Sequence, residues 1–309
     1  MRVLIVGGTG MIGRALTRSL IEKGHAVWVL TRRDDLTGMP SAIRLSKWDG
    51  RTENGWKDAA QWAQVIVNLA GENIGAGRWT AARKEAIRES RLRAGEAIVR
   101  AVQAGARPEL LIQASAIGYY GVQSGDRELN ENIPAGNDFL AQVCVAWEDS
   151  TRPVENFGVK RAIVRTGLVL DPRQGVLKRM ALPFRLFVGG RLGSGQQWYS
   201  WIHWRDEVEA ICFLLENRLE GVFNLTAPIP LQQADFGRAL AKALKRFYWF
   251  PVPTFALRLL LGEMSTLVLD GQRVLPIRLL RAGYRFQFGE LSSALQDLFA
   301  PRSKNKRSV

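Results

Sequence analysis

The amino-acid sequence predicts an α/β protein, a doubly wound parallel sheet with helices on both faces, followed by a smaller and mostly helical lobe. Three observations carry this. A glycine-rich turn, GGTGMIG at 7–13, stands between an apolar run and an amphipathic stretch. Continuous apolar runs then alternate with amphipathic ones up to about residue 170, the pattern of strands buried on both faces. From Pro228 onward the segments become helical, with proline and glycine as punctuation.

In chain order, strands are expected at VLIV (3–6), AVWVLTR (26–32), AIRLSKW (42–48), VIVNLAG (65–71) and ELLIQASA (109–116). Helices are expected from Ile12 to Lys23, within 80–104 and around 138–151. A further strand, KRAIVRTGLVL (160–170), leads into a Gly-, Pro- and Arg-rich region that runs to Ser200. A helix from Asp206 to Glu216 and the strand GVFNLTA (221–227) return to the sheet. The chain thus divides into a Rossmann-type nucleotide-binding domain, 1–170, whose sheet is completed by 198–227, and a substrate or cap lobe, 171–309. That lobe ends in a helical segment and a basic tail, PRSKNKRSV.

With 309 residues, 47% of them apolar, the chain can bury a sizeable core without crosslinks. Cys144 and Cys212 are its two cysteines, which excludes a disulfide framework and a multi-cysteine zinc site and points to a reducing compartment, hence the cytoplasm. VLIV is too short for a signal-peptide core, and no run approaches the roughly 18 apolar residues of a membrane span. A net charge of +14 predicts attraction to phosphates, anionic cofactors, nucleic acid or membrane surfaces, and charge alone does not choose among them. Without an RNA-binding aromatic signature, zinc finger or heptad array, no specific nucleic-acid partner is expected. Oligomeric state is not legible.

The turn VLIVGGTGMIGRAL satisfies two spacings, Gly8-x-Gly10-x-x-Gly13 and Gly7-x-x-Gly10-x-x-Gly13. Gly7, Gly8 and Gly10, with Thr9 among them, allow a tight turn and close approach of the backbone to a pyrophosphate. The unpaired amides where the helix opens at Met11 and Ile12 would receive its charge, and Gly13 lets the helix pack near the strand. The next strand ends Leu30-Thr31-Arg32-Arg33. NAD readers usually place a carboxylate there for the ribose 2′-hydroxyl, and a carboxylate would repel a 2′-phosphate. A hydroxyl and guanidinium forks suit that phosphate, so Thr31 and Arg32 favour NADP(H), with Arg32 preferred to Arg33.

The motifs GGTGMIG, VNLAGENI, SRLRAGEAIV, ASAIGYYG, RTGLVL and GSGQQWYSWIHWRDEV follow one another in this order. With them the chain resembles the extended short-chain dehydrogenase/reductases over nearly its whole length. More closely it is similar to their atypical branch, the epimerase family proteins or nucleoside-diphosphate-sugar epimerases, which carry a C-terminal domain of unknown function. The resemblance implies that Leu69, Ala70 and Gly71 pass beneath the nicotinamide ribose. It also implies that Arg91, and less directly Glu85, reach the cofactor from the following helix and that Val169 touches the carboxamide.

Typical members use Tyr-x-x-x-Lys on one helix, with a strand serine that fixes the substrate oxygen. Residues four positions after the five tyrosines are Gln123, Ser124, His203, Val252 and Phe288, so no such dyad exists. Alignment through Trp147-Glu148 puts Leu140 and Cys144 at the dyad positions. The remaining catalytic candidates are Tyr119 and Ser115, although Ser115 is one residue off the usual position and Ala116 occupies it. Tyr120, Tyr199, Trp201 and His203 are the candidate substrate contacts. Where the nucleotide-sugar enzymes clamp a diphosphate with Arg the resemblance puts Tyr199, leaving Arg185, Arg191 or Arg205 as substitutes. His203 has the one unperturbed pKa suited to neutral acid-base work, yet it precedes a helix that it could simply cap. With only His25 besides it, a histidine metal centre is not expected. Three readings follow. One is an NADP(H)-dependent oxidoreductase or epimerase acting on a small polar, sugar-like molecule; the second is a non-catalytic NADP(H)-binding redox sensor or partner-binding protein; the third is an anion-surface binder driven by the net charge of +14.

Overall fold

The computed structural model describes residues 1–300 except 33–35, 37, 51–55 and 123–124, so Arg33 and the basic tail lie outside the described residues. The first half contains β1 Arg2–Val6, α1 Met11–Glu22, β2 Ala26–Thr31, β3 Arg44–Lys47, α2 Lys57–Trp62, β4 Val65–Asn68, α3 Ala81–Gln103 and β5 Leu110–Ala116. After β6 Glu128–Leu129 and α4 Phe139–Asp149 come β7 Lys160–Thr166 and β8 Leu168–Leu170. Among the described residues seven strands form one parallel sheet in the order β11-β7-β5-β4-β1-β2-β3, with β11 at Gly221–Leu225. Strand order reverses between β1 and β4, and the crevice at the carboxyl ends of such a pair is where open α/β sheets bind ligands.

Side-chain alternation explains the two covered faces. Val3 and Ile5 pack with Leu16 and Leu20 of α1 and with Val208 and Ile211 of α6, Trp204–Glu216. Leu4 and Val6 point the other way, to Ala59 of α2 and to Ile98 and Val102 of α3. Every one of these side chains is at most 3% exposed.

The 160–170 run is two strands rather than one. At Gly167 the chain leaves the main sheet, and an added Cβ there would lie 2.4 Å from the Ser200 carbonyl oxygen. β8 then pairs with β10 Trp201–His203, while β9 Trp198–Tyr199 pairs with β12 Leu231–Gln232. The expectation that 198–227 completes the sheet is therefore corrected: β11 alone does so, and 198–203 serves two small ribbons beside it.

The remaining helices are α5 Gly175–Arg185, α7 Gln233–Leu244, α8 Thr254–Leu261, α9 Thr266–Leu269, α10 Ile277–Arg281 and α11 Leu291–Phe299. Between α9 and α10 runs β13, Arg273–Val274, which pairs with β6. α5, α7 and α11 share a core with Trp201 and Tyr199. Among the described residues no helix is long and apolar enough to cross a membrane.

Candidate functional site

The glycine turn closes because two of its positions admit no side chain. Gly7 sits at φ +81°, where L residues are strained, and a Cβ there would stand 3.0 Å from the Leu69 carbonyl. At Gly13 a Cβ would be 2.6 Å from the Gly8 Cα. Gly10 caps α1 with extended backbone and no side-chain bond, so the first-turn amides face the crevice. Thr9 Oγ1 and Thr31 Oγ1 lie 2.8 Å apart and tie the turn to the end of β2.

Arg32 follows Thr31 with its side chain 56% exposed and its Nη2 3.1 Å from Glu72 Oε1. Glu72 also meets Arg83 at 3.3 Å, and the Arg32 hydrogen bond above all holds its carboxyl below the usual range. Glu72 was not among the candidates, although it closes the AGE of the β4 loop. The Leu69 and Ala70 backbone packs so close to Gly7 that an added Cβ there would lie 3.0–3.1 Å from it, and a Cβ at Gly71 would lie 3.1 Å from the Arg91 guanidinium carbon. These contacts form a continuous track from α1 to the cavity beyond.

That cavity has a volume of about 340 Å³. Its floor is Ala116, Ile117 and Gly118, and its back wall is Leu140, Val143, Cys144 and Trp147 of α4. Leu140 and Cys144, the residues that alignment through Trp147-Glu148 sets against the dyad, thus face the cavity as an apolar group and a thiol. Burial pushes the Cys144 thiol up to about 11, so it stays neutral. Arg91 enters from α3, stacks over the Trp147 ring at 4.7 Å, and donates to the Glu72 and Ile87 carbonyls.

The mouth carries carboxylates. Asp138 caps α4, accepting from the Ala141 amide at 2.9 Å, and Asp270 faces the same space from the segment after α9. No described residue donates a hydrogen bond to the Asp270 carboxyl; burial raises its pKa, against the opposing charge of Arg258, and Asp138 adds to the rise. Tyr199 also lines the cavity, its hydroxyl donating to the Val268 carbonyl at 3.2 Å.

Several expected site residues are built into the frame instead. The Ser115 hydroxyl donates to Glu148 Oε1 at 2.7 Å, and Arg165 grips both oxygens of that carboxylate at 2.9 Å. Tyr119 packs under the same guanidinium. Tyr120 is fully buried, donates to Asn224 Oδ1 at 2.7 Å and accepts from Arg165 at 3.2 Å. The hydroxyl and ring groups of Ser115, Tyr119 and Tyr120 therefore serve a buried ionic network joining β5, α4, β7 and β11, and none of the three lines the cavity.

Trp201 is likewise core, its indole donating to the Ile229 carbonyl. His203 caps α6, its Nδ1 accepting from the Arg205 amide at 3.1 Å. Stacked 3.9 Å from Phe288 and fully buried, it is driven by desolvation down to about 4 and stays neutral. Val169 faces Met11 and Ile12, while its neighbour Leu168 lines the cavity, as period-two alternation requires. Glu85 is exposed and pairs with Arg88. Of the arginines offered as diphosphate clamps, Arg205 pairs with Asp297, and neither it, Arg185 nor Arg191 lines the cavity.

Beneath the cavity floor, Glu207 of α6 accepts from the Thr166 hydroxyl at 2.8 Å, and burial pushes its carboxyl up to about 8. The folded carboxyl thus titrates above its ordinary 4.5, so this group's contribution to stability is complete below 4.5 and fades as pH rises towards 8. Glu207→Gln is expected to remove this decline, and its thermal midpoint should exceed that of the unaltered protein at alkaline pH. Parallel melting curves for the two proteins between acid and alkaline pH would contradict this.

Comparison with known proteins places the geometry in context. Residues 3–226 match the model of the NAD dependent epimerase/dehydratase family, and 252–298 match a domain of unknown function, DUF1731. The epimerase family protein SERP0438 of Staphylococcus epidermidis is 38% identical over 301 residues, 96% of this chain and 98% of that protein. The crystal structure of the human epimerase family protein SDR39U1, isoform 2, with NADPH superposes with a TM-score of 0.86 at 33% identity, covering 97% of this chain and 99% of that one. A UDP-glucose 4-epimerase of Thermus thermophilus in complex with NAD shares the fold at 20% identity and a TM-score of 0.76, covering 98% and 100% of the respective chains.

Proposed function

As the chain belongs to the NAD dependent epimerase/dehydratase family, we propose that it binds NADP(H) along the track from the glycine turn to the Leu140–Cys144 wall and reduces or oxidises a compact, largely apolar molecule there. The carrying observation is the turn itself: Gly7 and Gly13 leave no room for a methyl group, so the backbone amides at the start of α1 remain open to a diphosphate. NADPH in the human relative's structure supports the same reading. Arg32 would take the 2′-phosphate, its fork exposed beside Thr31, and Leu69–Gly71 would underlie the nicotinamide ribose.

When bound, the nicotinamide ring supplies or accepts a hydride. The chain's own contribution is shape and a proton. Leu140, Val143 and Trp147 exclude water from one side. Asp270, raised in pKa and with no hydrogen-bond donor of its own, is the group placed to hold or deliver a proton at a substrate oxygen. The apolar wall and the carboxylates at the mouth disfavour a nucleoside-diphosphate sugar, for whose diphosphate the cavity offers one guanidinium, Arg91, already donating to the Glu72 and Ile87 carbonyls. We therefore read the substrate as an uncharged or cationic molecule.

The test follows NADPH consumption with a panel of small aldehydes and ketones. Asp270→Asn is expected to lower kcat about a hundredfold with NADPH affinity unchanged, the size of a lost general acid. Saturable NADPH binding with no consumption by any panel member would support instead the second reading, a non-catalytic NADP(H)-binding module. That reading draws on one observation: the sequence contains no Tyr-x-x-x-Lys.

A further inference from the structure

Two stretches of the chain contain no acidic residue. Residues 172–205 carry six Lys or Arg and no Asp or Glu, and residues 236–262 carry five and none. The fold lays them side by side. Trp249 donates from its backbone to the Gly189 carbonyl at 3.0 Å and from its indole to the Phe187 carbonyl at 2.8 Å. The Val252 amide donates to the Arg191 carbonyl at 2.8 Å, and the Arg246 guanidinium stands 4.6 Å over the Phe187 ring.

The same two stretches hold most of the protein's misplaced apolar surface. Of the fifteen large hydrophobic side chains exposed among the described residues, ten fall within 182–188 and 247–260. Leu182, Leu186, Phe187 and Val188 project from the end of α5 and the turn after it. Phe187 does so at φ +63°, a conformation costly for a bulky residue, so backbone strain accompanies an outward-facing ring. Phe247, Trp249 and Phe250 project from the facing loop. On α8, Phe255 and Leu259 stand one turn apart at 73% and 79% exposure. Scattered exposed hydrophobics are ordinary, but a concentration like this marks an interaction surface.

We propose that this surface docks on an anionic lipid bilayer, with the aromatic and aliphatic side chains entering the headgroup boundary and the surrounding Lys and Arg meeting lipid phosphates. Charge chooses the occupant. Arg173, Arg205 and Arg238 are paired with Asp171, Asp297 and Asp235, but among the described residues Arg185, Lys242, Lys245 and Arg246 form no ion pair, so a second copy would set these charges against each other whereas a negative leaflet attracts them. Exposed Trp and Phe flanked by basic residues is the composition of interfacial binding without a span. The surface also adjoins the cavity mouth, since α8 leads directly into Glu263 and Thr266, which line it. Docking there would present the cavity to the lipid boundary. This surface shares no residue with the cofactor track, so the two readings stand or fall separately.

Co-sedimentation of the full chain with phosphatidylcholine vesicles, with and without phosphatidylglycerol, tests the proposal. Binding is expected to the phosphatidylglycerol vesicles at low ionic strength and to be about tenfold weaker on phosphatidylcholine alone. Arg185→Glu with Lys242→Glu, and separately Phe255→Ser with Leu259→Ser, should each lower binding by about tenfold while NADPH affinity is unchanged. Protein that stays in the supernatant with anionic vesicles overturns the proposal, as does binding that neither double variant weakens. A dimer that Phe255→Ser with Leu259→Ser converts to monomer, without any vesicle binding by the unaltered chain, would assign the surface to a second copy and overturn it as well.

Discussion

Gly13→Ala is expected to abolish saturable NADPH uptake and to lower stability by on the order of 1–3 kcal/mol, the range for overpacking a close contact. The added methyl would meet the Gly8 Cα at 2.6 Å, and both partners are backbone, so no side-chain rotation relieves the clash. Either α1 moves away from β1 or the turn opens. In both cases the amides that begin the helix no longer converge on one point, and a diphosphate loses its seat. Thermal melting reads the stability loss and fluorescence titration with NADPH reads the uptake. An alanine variant that binds NADPH as the unaltered chain does would show that the turn is not the anchor.

Arg32→Ala should act on cofactor choice and leave the fold alone. The side chain is more than half exposed, so its removal opens no cavity. A guanidinium on a phosphate contributes roughly 1.5–3 kcal/mol through charge-assisted hydrogen bonds, which corresponds to an affinity loss of about tenfold to a hundredfold. NADPH should weaken by that factor while NADH changes little. Glu72 sharpens the effect: with Arg32 gone, its carboxylate remains beside the vacated position, held by Arg83, and repels a phosphate. Equal losses for NADPH and NADH would place Arg32 away from the 2′-phosphate.

The fold was legible because its signals are local. The sheet strands β1, β2, β4 and β5 each carry an apolar run, the polar β3 at the sheet edge being the exception, and the glycine turn carries its own geometric reason in three residues. The break at Gly167 was not legible, since it depends on the approach of Ser200, more than thirty residues away. The candidate site divides along the same line. Positions on the glycine track follow from strand ends and a helix start, whereas the fate of Ser115, Tyr119 and Tyr120 depends on a distant pair, Glu148 and Arg165, that claims their polar groups. Val169 and Leu168 exchanged places through strand alternation, which a motif match does not fix. His203 was read both as a site residue and as a helix cap, and complete burial against Phe288 decides for the cap. Asp270 gave no signal at all. It lies in the C-terminal segment and gains meaning only where the chain returns to α4 and Asp138.

The central claim is that the leading βα turn of this chain seats NADP(H), and side-by-side calorimetric titration of the purified protein with NADPH and with NADH tests it most directly. The account predicts one saturable site that takes NADPH at least about tenfold more tightly, the margin that one guanidinium–phosphate contact supplies. No heat of binding with either nucleotide, or tighter binding of NADH, would contradict it.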